Sequence, residues 1–315
     1  MSSSKPPLLP NATRDLARFA SAIQFSDLPK EVVERIKLSV LDHVGCVLYG
    51  ATLPWTQKVA ELALAEDAKG VASLYGMGKK SSVALAALVN GTMIQALDFD
   101  DTHLKTIIHP AGPVASAVLP LAEYMPITGA QLLHAFILGV EVECRIGNCV
   151  YPNHYDVGWH ITGTAGVFGA AAAAGKLLGL DEQQMIWALG IAGTQSCGLM
   201  AAQYGAMVKR MHAGRSSQSG LYGALLAERG FTGIVNVFES EYGGFCTTFS
   251  RSSDRFHLQE LTSGLGERWE TMGIALKFYS CVGSNHTTLD AIRTIQARRP
   301  FKADEIAKIV VHGSK

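Results

Sequence analysis

The chain has 315 residues, enough for a large core and at the boundary between one big domain and two. A hydrophobic fraction of 48% against 17% charged excludes a disordered chain. The 27 basic residues balance 27 acidic ones, which removes the broad positive field that non-specific nucleic-acid or anionic-membrane binding needs, so any charge chemistry is local.

Residues 1–14, Pro-rich and without an apolar signal core, are expected to form a disordered lead. The cytoplasm is the expected compartment; Arg14 and Arg18, in a Ser-containing opening, make the mitochondrion the alternative. Next, "EVVERIKLSVLDHVGCVLYG" places Val33, Ile36, Val40, Val44 and Val47 at three- and four-residue steps, the period of an amphipathic helix. Helical patterns recur in "SSVALAALVNGTMIQALDFDD", which begins with Ser N-cap residues, and in "GAQLLHAFILGVEVECRIGNCVY", apolar almost all round. The segment "DEQQMIWALGIAGTQSCGLM" opens with Asp181 and Glu182, where a helix dipole favours acids.

The most apolar stretch, "AGVFGAAAAAGKLLGL", is dominated by Ala and Gly and carries Lys176, so it predicts a close-packed core helix and no membrane span. Six cysteines form no C-x-x-C pair and sit mostly in apolar runs, as buried thiols of a reducing compartment do. The expected fold is mainly α: an all-helical domain over 15–265, with 266–315 the beginning of a smaller α/β lid. In the tail "EIAKIVVHGSK", Ile309, Val310 and Val311 read as a strand, with no obvious sheet before it to supply a partner.

Four stretches carry chemistry. In "ALDFDDTHLKTIIHPAGP", a helix running through would place Asp98, Asp101 and Thr102 on one face and turn Asp100 away, while Pro110 ends any helix at His109. Carboxylates beside a histidine suit general acid–base work. An EF-hand loop would need Gly and Glu where His103 and His109 stand, and no zinc pattern occurs, so no metal is expected. In "GWHITGTAGVFG", His160 precedes a Gly/Ala-rich helix opened by Thr162 or Thr164, whose N-terminus suits a carboxylate; the glycine spacing is not a dinucleotide fingerprint.

In "GAMVKRMHAGRSSQSG", Lys209, Arg210, His212 and Arg215 make the densest cationic patch, with Ser216 or Ser217 expected to cap the following helix. The apolar flanks Met207, Val208 and Met211 favour partial burial of that patch. In "ALKFYSCVGSNHTTLD", Lys277 and Tyr279 interrupt an apolar run and His286 heads a helix. Nucleophile elbows and P-loops are missing.

These stretches in this order, with "LDHVGCVLYGA" and "HPAGPVASAVLPLAE", resemble the MmgE/PrpD family over roughly residues 15–315. "GTQSCGLMAAQYGAMVKR" is similar to its fungal cis-aconitate decarboxylase branch. The resemblance implies a homodimer with an active site between a helical domain and a lid, acting on a small polycarboxylate without metal or organic cofactor. Its site positions match Asp98, Thr102, His109, His160, Lys209 and Lys277; Arg210 and His212 join Thr102 and Lys277 as expected substrate contacts. Where the animal decarboxylases place a further histidine, this chain has Val282. Dehydration of 2-methylcitrate or an alkylcitrate is therefore ranked first. Decarboxylation of cis-aconitate, epimerisation of an acidic carbon, and a non-catalytic acid-binding subunit are the alternatives. Family members are also longer.

Overall fold

The computed structural model describes residues 10–66 and 69–313. Helix α1 (Ala12–Ala22) opens inside the stretch expected to be a disordered lead, and residues 1–9 of that lead lie outside the described residues. Then follow α2 (Lys30–Gly50), α3 (Pro54–Ala65), α4 (Val83–Ile94), α5 (Ala111–Tyr124), α6 (Gly129–Val150), α7 (Asn153–Asp156), α8 (Ile161–Leu177), α9 (Glu182–Gly193) and α10 (Val208–Glu228). The shorter α11 (Phe245–Ser250) and α12 (Gln259–Thr262) precede α13 (His286–Arg298). The mainly α expectation holds.

The core helices are those the Gly/Ala pattern marked. Every residue of α8 from Ile161 to Gly175 is buried, and α8 packs against α6, α9, α5 and α10. Small residues bring α4 and α10 into backbone contact: a Cβ on Gly91 would lie 2.5 Å from Gly214 Cα, and one on Gly214 would lie 2.1 Å from the Leu88 carbonyl oxygen. Capping follows the sequence signals. Ser82 Oγ accepts the Leu85 N–H at the start of α4, and Asp181 accepts that of Gln184 at the start of α9.

Three expectations need correction. In α2 the buried face runs through Val32, Ile36, Ser39, His43, Cys46, Val47 and Gly50, so Ile36 and Val47 of the expected face are buried but Val44 is exposed, the helix closing on the Met93 carbonyl through Gly50, where a Cβ would clash. Ser216 and Ser217 cap nothing: α10 runs straight through them. Their hydroxyls donate back to the His212 and Ala213 carbonyls and across to those of Gly163 and Pro113, fastening α10 to α8 and α5. Residues 306–313 form no strand; Ile309, Val310 and Val311 are exposed and find no ladder partner among the described residues.

Two small antiparallel pairs have no counterpart in the sequence reading. Strands β1 (Ala72–Leu74) and β2 (Lys79–Ser81) flank a turn at Gly76 and Gly78, both at positive φ. Strands β3 (Thr102–His103) and β4 (Ile274–Ala275) pair Thr102 with Ala275 and His103 with Ile274. This second ladder sews the segment after residue 265 onto the helical body. Of the six cysteines, Cys46, Cys144, Cys149 and Cys246 are buried and Cys197 and Cys281 half-buried, all as free thiols. No single described helix is long and apolar enough to cross a membrane; α2 and α3 meet that length and composition only as a pair bent by 86°.

Candidate functional site

Helix α4 gives way to a short 3-10 turn, Gln95–Leu97, and Asp98 follows in the left-handed region with φ +59°. Few residues with a Cβ adopt that conformation, Asp and Asn most readily. The chain therefore leaves the helix before the acidic run, and Asp98, Asp101 and Thr102 do not share the helical face that their spacing predicts. The run serves three separate purposes. Asp101 Oδ1 accepts the Ala111 N–H at 3.1 Å and so caps the start of α5. Thr102 enters β3. Asp98 becomes the hub of an ion cluster.

Lys209 Nζ stands 2.7 Å from Asp98 Oδ2, with Arg210 Nη1 at 3.7 Å from the same oxygen. Lys277 Nζ donates to the Asp98 carbonyl at 2.7 Å and lies 3.4 Å from Oδ1. His109 Nε2 is also 3.4 Å from Oδ1. Burial alone would raise the Asp98 carboxyl, but His109, Lys209 and Lys277 outweigh it and hold the group well below the usual carboxylate range. The β3–β4 ladder places Lys277 two residues beyond Ala275, within reach of Asp98.

His109 is fixed from behind. Its Nδ1 lies 2.9 Å from the Asp101 carbonyl oxygen, which can only accept, so Nδ1 carries the hydrogen and Nε2 faces Asp98. Its backbone N–H donates to Thr162 Oγ1 at 3.1 Å. Asp100, expected to point away, is fully buried with Oδ1 3.5 Å from His109 Nδ1, and burial pushes its carboxyl upward. Asp98, Asp100 and His109 offer ligand atoms within 4.8 Å of one another, the spacing of a small cation site. Two ammonium groups already seated on Asp98 oppose a further cation there.

His160 is the N-cap of α8, and its Nδ1 meets His212 Nδ1 at 2.9 Å. Burial first, then the neighbouring His212, His109 and Lys209, hold His160 well below its ordinary value. Burial and Lys209 lower His212 to about 4, so both rings are neutral near neutral pH.

Asp98, Thr102, His109, His160, Lys209 and Lys277 line one cavity of about 550 Å³, with Tyr155, Met200, Gln203, Val282 and His286 among its other walls. Arg210 and His212, expected to touch substrate, are not among the lining residues: Arg210 reaches only Asp98 Oδ2, and His212 stands behind His160. Four helices open at or within two residues of a lining side chain: α5 beyond His109, α8 after His160, α10 around Lys209 and α13 at His286. Helix N-termini carry free N–H groups and partial positive charge, which favour negative charge in the cavity.

Sequence reasoning missed the buried acids behind this wall. Glu143, in the middle of α6, is fully buried, neither of its carboxylate oxygens has a partner among the described residues, and burial with Asp101 nearby raises it far above its ordinary value. Asp42, on α2, is pushed up to about 6 by burial and by Asp100. The signal was the pair of glutamates inside the apolar run "GVEVEC".

Residues 14–257 match the family model described as the MmgE/PrpD N-terminal domain. The chain is 37% identical over 297 residues to a cis-aconitate decarboxylase of Aspergillus terreus, covering 91% of this chain and 61% of that protein. A cis-aconitate decarboxylase-like protein of Aspergillus oryzae is 35% identical over 312 residues, covering 95% and 65%. The human cis-aconitate decarboxylase is 28% identical over 318 residues, covering 96% and 64%. The chain thus spans less than two thirds of the length of these curated relatives. The family match, which includes Asp98, His109, His160 and Lys209, establishes that this chain belongs to the MmgE/PrpD family.

Proposed function

We propose that the cavity binds a small unsaturated tricarboxylate and that the chain carries the active site of a lyase that removes carbon dioxide from cis-aconitate or a close analogue, using side chains alone. The observation that carries this reading is the gathering of Lys209, Lys277 and His109 on Asp98, with His160 on the same cavity. An incoming carboxylate competes with Asp98 for the two ammonium groups and is held against helix N-termini.

In cis-aconitate the departing carboxylate sits on a methylene next to the double bond. When its carbon–carbon bond breaks, the electron pair moves through the double bond to the carbon beside the distal carboxylate. Cationic groups on that carboxylate stabilise the charge as it develops. A proton on His109 Nε2 is well placed for delivery to carbon: a doubly protonated ring keeps Nδ1–H on the Asp101 carbonyl and Nε2–H towards Asp98. The products are carbon dioxide and a dicarboxylate with a terminal methylene. Residues from 266 onward, which supply Lys277 and Val282, act in this reading as the near edge of a lid, and two copies of the chain form the working assembly.

Dehydration of a hydroxytricarboxylate such as 2-methylcitrate is the second reading. Val282 favours it, because an apolar side chain stands on the cavity wall where a third proton-carrying ring would assist decarboxylation. Proton NMR of the protein with cis-aconitate in heavy water separates the two. Paired vinylidene signals with deuterium at the adjacent methylene support decarboxylation. Unchanged cis-aconitate together with loss of 2-methylcitrate to an olefinic acid supports dehydration. Inertness towards both overturns the lyase reading.

A further inference from the structure

We propose that His212 is a positioning residue that fixes which ring nitrogen His160 presents to the cavity, so that His160 meets a bound polycarboxylate as a neutral Nε2–H donor. This rests on the reading of the cavity as a polycarboxylate site, and it assigns His212 a task other than touching substrate.

The two rings face each other nitrogen to nitrogen, Nδ1 to Nδ1 at 2.9 Å, and both residues are buried. A hydrogen bond between two imidazole nitrogens needs one N–H and one bare lone pair. The contact therefore forces opposite tautomers: if His212 carries its hydrogen on Nδ1, His160 carries its own on Nε2, and the reverse. His160 lines the cavity and His212 does not, so the state of His212 decides whether His160 offers the cavity a donor or an acceptor.

The surroundings hold the pair in register. The His160 N–H donates to the Gly198 carbonyl at 3.0 Å, and the Gly163 and Thr164 N–H groups donate to the His160 carbonyl. Glycines leave room for His212: a Cβ on Gly198 would come within 3.3 Å of His212 Nδ1, and one on Gly163 within 3.4 Å of His212 Cβ. The charged and titratable groups facing the pair are Lys209, His109 and Asp98; at His160 burial, Lys209 and His109 outweigh Asp98, at His212 burial and Lys209 act together, and both rings are held neutral. A neutral ring cannot pair with an anion by charge, so its contribution is a directed N–H. A polyanion in the cavity favours Nε2–H on His160, which requires the Nδ1–H of His212 as donor behind it.

Nitrogen-15 NMR of histidine-labelled protein, with and without tricarballylate as an unreactive saturated tricarboxylate, reads the tautomers directly. With tricarballylate present, His160 is expected with its hydrogen on Nε2 and His212 with its hydrogen on Nδ1. In His212→Leu the His160 signals are expected to become a mixture of tautomers, and turnover of cis-aconitate to show kcat lower by about 10- to 100-fold with KM nearly unchanged. His212→Asn, which retains a side-chain donor, is expected to restore a large part of kcat and the single tautomer.

Like tautomers on the two rings in the wild-type protein, or an unchanged single tautomer in His212→Leu, overturns the proposal. A His212→Leu protein with raised KM and normal kcat also overturns it, since His212 would then be a substrate contact. Failure of every acid to turn over defeats the lyase reading, while the tautomer measurement still decides for or against the His160–His212 pairing.

Discussion

The ammonium of Lys209 and the carboxylate of Asp98 lie 2.7 Å apart, yet Lys209 sits in the first turn of α10 and Asp98 just beyond the last turn of α4. A cation at a helix N-terminus is unfavourable for the dipole, and an acid after a helix C-terminus likewise. Each residue offsets the other's misplacement. The pair thereby sets opposite charges side by side on the cavity wall.

Asp98→Asn tests that arrangement without disturbing the backbone, because Asn tolerates the left-handed conformation about as well as Asp. The variant keeps an acceptor oxygen but removes the negative charge that Lys209, Lys277 and His109 share. Turnover of cis-aconitate is expected to fall by about 100-fold, with the melting temperature shifted by only a few degrees. Wild-type turnover, measured by NMR alongside a thermal melt, would remove Asp98 from the working site.

Gly214→Ala addresses the contact that sets the distance between α4 and α10. The added methyl would meet the Leu88 carbonyl oxygen at 2.1 Å, and helix backbone does not yield as a flexible side chain does. A loss of about 3 kcal/mol in urea unfolding is expected. Activity should drop further than stability alone explains, since separating the helices lengthens the Lys209–Asp98 distance. A variant as stable as the parent shows that the helices slide apart freely.

Glu143→Gln gives a pH-dependent outcome. The folded protein holds the Glu143 carboxyl well above its ordinary value of 4.5, chiefly through burial. A raised acid contributes its full share to stability below the ordinary value and loses it as pH rises towards the folded one, at about 1.4 kcal/mol per pH unit. The amide does not titrate, so the variant should gain on the wild type over the interval from the ordinary value of 4.5 upward, in paired denaturant titrations. A difference that stays flat over that interval shows that Glu143 ionises as readily folded as unfolded.

The helices are legible in the sequence because their causes are local. Asp181 and Ser82 cap where their residue types suggest, and the Gly/Ala run of α8 is buried as its composition implies. The acidic stretch misleads because helical spacing assumes the helix continues, and one left-handed residue at Asp98 ends it. Ser216 and Ser217 resemble a cap in sequence, yet they lie inside α10, where carbonyls on α8 and α5, far away along the chain, accept from their hydroxyls. The β3–β4 ladder spans two residues on each side, too few to leave any alternation to read. The six cavity residues that match the family positions all stand out in the sequence. Their mutual arrangement, and the separation of His212 from the cavity, depend on tertiary contacts that no local pattern encodes.

Lys277 reaches Asp98 across 179 residues of sequence. A ribosome releases the chain from its N-terminus, so α4, α8 and α10 are free to assemble while Lys277 has yet to be made. Throughout that interval Lys209 is the one ammonium partner that Asp98 has among the described residues, and the β3 edge has no strand against it. The site is thus completed only after the helical body has been made. A nascent chain that has completed its helical body still holds an open, half-neutralised cavity, and its remaining walls, from Ala275 to His286, are added only as synthesis continues.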